Sequence, residues 1–146
     1  MLQSLLDSST MPLLEKLAIF GERRQSVLAG NISNIDTPNY KSRDLPVEEF
    51  QEALKSAIQA RNQASSPGTQ SLSAQTSRPS IEELFPRELF VASEITPSNI
   101  TFQDGNNRSV EKVNMDLIKN LMMQTFAVEV MHAQMNQLQT VISERL

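Results

Sequence analysis

The sequence contains no cysteine and no tryptophan, a single tyrosine and only four glycines. Without cysteine there can be no disulfide staple, thiolate zinc site or thiol nucleophile, and either a reducing or an oxidising compartment is tolerated. Scarce glycine disfavours phosphate-cradling loops and all-β architectures built on tight turns. Aromatic residues are 5 % of the chain, a supply that can seal a helical seam but is thin for a wide globular interior. No stretch of eighteen or so apolar residues occurs, so no membrane span is expected. The start, Met1 to Asp7, lacks a basic region and breaks its apolar run at Asp7, so it does not read as a cleavable secretory signal. Excess positive charge is missing too: 13 Lys and Arg face 17 Asp and Glu, for a net charge of −4. The basic residues are scattered rather than gathered on one face, and no nucleic-acid partner is indicated. A length of 146 residues supports one domain, or two helical arms around a connector.

What is present divides into three zones. Residues 1–36 form an N-terminal helical arm in which Leu13, Leu14, Leu17, Phe20, Val27, Leu28, Ile32 and Ile35 return along one helix face. Thr10 is a candidate cap and Pro12 suits the first turn, while Asp36, Pro38 and Asn39 end the helix. Residues 37–108 form a connector that holds six of the seven prolines. Within it we expect a short helix near 46–61, with Val47, Phe50, Leu54 and Ile58 on one face, and a flexible linker near 62–80. Short strands are expected near 89–102, at Leu89 to Val91 and Ile100 to Phe102, turning at Asp104-Gly105. Residues 109–146 carry the strongest pattern. Val110, Asn114, Leu117, Leu121, Gln124, Val128, Met131, Met135, Leu138 and Ile142 recur at alternating steps of four and three, the repeat of a coiled-coil seam. Ile118, Met122, Phe126 and Val130 add a second apolar stripe, more than one neighbouring helix can cover. The expected fold is therefore mainly α: antiparallel N- and C-terminal helices in a coiled-coil-like bundle, with a partly extended or short-β middle.

Candidate chemical sites are poor. His132 stands three residues after Glu129, but no second His and no Cys completes a metal set, and zinc normally takes three or four protein ligands. The acid pairs Glu48-Glu49 and Glu82-Glu83 point about 100° apart on a helix and read as solvated helix starts. Arg23-Arg24 is too short for a phosphate track. Three glycosylation tripeptides, at Asn31, Asn99 and Asn107, come without a secretory leader and carry no weight. No nucleophile–base set supports a hydrolase, and no catalytic residue, cofactor or metal is expected. Five of the seven methionines lie between Met115 and Met135. They read either as seam filling or as a surface that adapts to non-identical neighbours.

The run Asn31-Ile32-Ser33-Asn34-Ile35-Asp36-Thr37-Pro38-Asn39-Tyr40-Lys41 resembles the signature Asn-Ile-Ala-Asn-x-x-Thr-Pro-Gly-Tyr. That signature closes the N-terminal helix of flagellar basal-body rod and hook proteins. The chain departs from it at Ser33 and Asn39, and Asn39 still tolerates the left-handed backbone that glycine would supply. Gly105-Asn106-Asn107 is similar to the family's approach to its last helix, with Gln124 where an aromatic is usual. The few residues between the terminal helices favour the short proximal-rod members over the hook and distal-rod proteins. The resemblance implies a structural subunit of the proximal rod, exported by the flagellar type III apparatus without a cleaved signal. It further implies a place in the periplasmic part of the basal body, in a tubular axial structure needed for motility. Its partners would be copies of itself, other axial rod proteins such as FlgC, the rod-base adaptor FliE and the rod-cap protein FlgJ. Asn31, Asn34, Thr37, Pro38 and Tyr40 would form the family turn. The helix periodicity assigns Leu14, Leu17, Leu28, Ile32, Leu117, Leu121, Gln124, Val128, Met131, Met135, Leu138 and Ile142 to an assembly seam. A competing reading of the same helices is an adaptor or export chaperone that grips one secretion client.

Overall fold

A computed structural model describes residues 10–64, 80–95 and 110–143. The chain builds α1 (Met11–Ser33), β1 (Arg43–Asp44), α2 (Val47–Ala64) and α3 (Ile81–Leu84). A 3₁₀ turn at Arg87–Phe90, β2 (Ser93–Glu94) and α4 (Val110–Ser143) follow. The two long helices lie side by side and run in opposite directions. Thr10 at the start of α1 meets Gln134 late in α4, and Gly21 in mid-α1 meets Asn120 and Gln124. With 34 residues, α4 is about 50 Å long.

Each element starts where its chemistry permits. Pro12 occupies the first turn of α1, where a missing N–H goes unnoticed. Thr10 does not cap α1 with its side chain. Its hydroxyl accepts a hydrogen bond from the Gln134 amide instead, and its carbonyl takes the N–H groups of Leu13 and Leu14. Helix α2 opens behind Pro46 with Glu48 and Glu49 in its first turn, where the helix dipole favours acids. Its inner face runs through Val47, Phe50 and Leu54 to Ala57, while Ile58 turns outward. Helix α3 has a full capping box: the Glu83 N–H donates to Ser80 Oγ, and the Ser80 N–H donates to Glu83 Oε2.

The connector departs from expectation at Leu89 to Val91. Leu89 and Phe90 form a 3₁₀ turn behind Pro86 rather than a strand, because that turn sends Leu89 into the core and sets Phe90 against Phe20 and Phe50. The strand comes just afterwards. Ser93–Glu94 pairs antiparallel with Arg43–Asp44, and the Ile95 N–H donating to the Ser42 carbonyl extends the ladder. The expected strand at Ile100 to Phe102 and its turn at Asp104-Gly105 lie outside the described residues, as does most of the linker near 62–80.

The core sits on the flank of the helix pair. Phe20 and Phe50 are stacked with ring centroids 3.9 Å apart, Phe85 tilts against Phe50 at 5.4 Å, and Phe90 presents an edge to both stacked rings. Leu13, Leu17, Leu45, Ala57, Leu89 and Ala127 close around them. Aromatic side chains each bury a large apolar area, so four of them make one compact nucleus from elements distant in sequence.

Candidate assembly surfaces

The turn after α1 is held by a polar clasp. Arg24, Leu28 and Asn31 share one face of α1 and all three are buried. The Arg24 guanidinium grips Asp44 with two parallel bonds, Nε to Oδ1 at 2.8 Å and Nη2 to Oδ2 at 2.7 Å. The Leu45 N–H also donates to Asp44 Oδ1 at 2.8 Å. This forked hydrogen bond holds the Arg24 pKa above its already high value; burial opposes it, and the charges of Asp44 and Asp116 add to it.

Asn31 completes the clasp. Its Nδ2 donates to the Arg43 carbonyl at 2.6 Å, and its Oδ1 accepts from the Arg43 N–H at 3.0 Å and the Tyr40 hydroxyl at 3.1 Å. The side-chain amide thereby stands in for a neighbouring strand beside Arg43. Asn34 ends the helix, its Nδ2 donating to the Gly30 carbonyl at 2.9 Å. The Thr37 N–H donates to the Asn34 carbonyl and the Tyr40 N–H to the Thr37 carbonyl. Pro38 is exposed at the apex, and Asn39 adopts φ 60°, the left-handed backbone expected of it. Asn31, Asn34, Thr37, Pro38 and Tyr40 therefore meet in one turn. Arg24 and Asp44 were not among the residues that sequence reasoning selected for it. The available signal was a charge at a position spaced with Leu17, Gly21 and Leu28 on the inner face of α1, which demands a carboxylate partner.

The seam residues divide between two faces of α4. The face on α1 runs Val113, Leu117, Asn120, Gln124, Ala127, Met131 and Gln134, itself an alternation of four and three. Asn120 and Ala127 are its two buried members, and Asn120 Nδ2 donates to the Gly21 carbonyl at 2.8 Å. Small size explains the choice. Gly21 lets α4 come so close that an added Cβ would sit 3.3 Å from Gln124 Cβ. Of the expected seam, Leu17 and Leu28 are buried, and Leu14, Ile32, Leu117, Gln124 and Met131 are half-buried. Leu121, Val128, Met135 and Ile142 are exposed along the next face of α4, while Leu138, one turn past Gln134 in register with Met131, is exposed beyond the contact with Thr10. Met115, Ile118, Met122 and Phe126 are exposed as well. Among the described residues, no group of three or more His, Cys, Asp or Glu could hold a metal ion, and no helix is long and apolar enough to cross a membrane.

The described residues thus pair two long antiparallel helices, hold the turn after α1 with a set of hydrogen bonds, and leave large apolar side chains of α4 exposed. The family described as flagella basal body rod protein matches residues 22–41, which hold the second half of α1 and the turn as far as Tyr40, with Arg24 and Asn31 of the clasp but not their partners Arg43 and Asp44. Over 136 residues, 93 % of this chain and 95 % of the relative, the sequence is 28 % identical to the flagellar basal body rod protein FlgB of Bacillus subtilis (strain 168). The chain is thus similar to a flagellar basal body rod protein, FlgB, over most of its length.

Proposed function

We propose that this chain is a structural subunit of the proximal rod, which joins its neighbours by helix packing into the tubular axial structure that motility requires. One observation carries the reading: Leu121, Val128, Met135 and Ile142, at steps of seven along α4, stand exposed beside the face that meets α1, and Leu138 is exposed past the end of that contact. Burying a few hundred Å2 of such surface at about 25 cal/mol/Å2 gives several kcal/mol of drive for association before entropy is subtracted. A head-to-tail contact that does not close generates a helical array, as a tube needs. Within it the clasp would turn the chain from the helix layer into the connector.

The likeness to rod proteins supports a basal-body location and partnership with other rod components. The finer assignments rest on the resemblance alone: export through the flagellar type III apparatus, the periplasmic rod, and contacts with FlgC, FliE and FlgJ. The test is to replace Leu121 or Leu138 with Asp in flagellated cells and fractionate them. Export should persist, while rod incorporation and swimming are lost. Normal rods from both variants would refute the role given to these residues.

A further inference from the structure

A third face of α4 is separate from both the α1 contact and the Leu121 stripe. Met115, Lys119, Met122, Phe126, Glu129 and Ala133 follow one another at steps of four, three, four, three and four, and all six are exposed. Met122 and Phe126, at its middle, are the most exposed large apolar side chains of the helix, at 69 % and 61 %. A lysine precedes this pair and a glutamate follows it.

We infer that the full chain self-associates through this face as an antiparallel, twofold dimer of α4 against the α4 of a second copy. The order of the side chains selects both the partner and the direction. Setting Met122 of one copy against Phe126 of the other in an antiparallel pair also sets Lys119 against Glu129 and Met115 against Ala133. By symmetry every such contact occurs twice. The face is therefore its own complement when reversed: two methionine–aromatic contacts in the middle, an opposite-charge pair on either side, and a methionine over a small residue beyond. A parallel pair would stack Lys119 on Lys119 and Glu129 on Glu129, which like charges oppose. A twofold contact closes on itself and cannot propagate. The dimer is consequently a bounded species in solution, different from an open-ended rod, and it does not depend on the rod reading.

The test uses the full chain in sedimentation equilibrium over a roughly hundredfold range of concentration. The wild type should titrate from monomer to dimer. Lys119→Glu alone, or Glu129→Lys alone, creates two like-charge contacts and should weaken the dimer about tenfold. An equimolar mixture of the two variants should recover it. Because the chain has no cysteine, direction is read by cross-linking: a Met122→Cys chain mixed with a Phe126→Cys chain should oxidise to a disulfide dimer faster than either alone. A wild type that stays monomeric throughout, a dimer indifferent to both charge reversals, or fastest cross-linking of Met122→Cys to itself would each overturn the proposal. Open-ended growth is scored separately, so its absence alongside an intact dimer would count against the rod reading alone.

Discussion

At the scale of the residue, Asn31 has more structural consequence than its single side chain suggests. Its amide both donates to and accepts from the Arg43 backbone, so its geometry depends on having N–H on one side and oxygen on the other. Asn31→Ala should lower the unfolding free energy by about 1–3 kcal/mol, because it leaves partnered backbone groups bare. Asn31→Asp should do no better, since a carboxylate cannot donate to the Arg43 carbonyl. Urea denaturation of the three proteins checks this, and an Asp variant as stable as wild type would show that the donated bond is unimportant. Arg24 adds to stability without adding pH sensitivity. Its folded-state pKa is raised, so its contribution is complete below the unfolded value and is lost only as the pH rises through the folded one, far above neutrality. The exposed pair of Lys41 with Glu94 at 3.3 Å is of the kind that contributes little.

At the scale of the element, the two glycines of α1 make opposite demands. Among the described residues, a Cβ on Gly30 would meet nothing within 4 Å, whereas one on Gly21 would press on Gln124. Gly30→Ala should stabilise the protein by about 0.5–1 kcal/mol through helix propensity. Gly21→Ala should fall clearly below it in thermal melting, because α4 must move back by a few tenths of an ångström. The reverse order would mean that the close approach of α1 and α4 has been misjudged. The same close approach explains what could be read from the sequence. Apolar residues returning along one helix face located α1, the 3.5-residue repeat located α4, and a proline followed by acids located α2. The face of α4 that meets α1 was not legible from apolar bulk. Contact at Gly21 favours a small residue or a bonding amide, so Asn120 and Ala127 lie inside while Leu121 and Val128 lie outside. Asn120 Oδ1 is buried with no hydrogen-bond partner among the described residues, a stability penalty of the sort that can fix register in a helix seam.

At the scale of the whole molecule, the core is an aromatic cluster that ties the connector to the helix pair. Phe50 read in sequence only as one member of an apolar helix face and Phe85 carried no signal of its own, since only the fold brings Phe50 onto Phe20 and Phe85 against Phe50. Phe50→Ala should destabilise the protein by about 3–5 kcal/mol, and near-UV circular dichroism should report loss of the aromatic packing with α4 helicity largely retained. The proposed function would thus divide the surfaces: the core and clasp stabilise the single chain, and the exposed apolar residues of α4 would meet its neighbours. The likeness to FlgB and the rod family gives that division its biological setting.

The most direct measurement is a cryo-EM map of basal bodies purified from cells that express this chain, traced at side-chain resolution. The account predicts Leu121, Val128, Met135, Leu138 and Ile142 packed between adjacent subunits of the rod. Finding those five side chains facing solvent, or finding the chain absent from the rod, would contradict it.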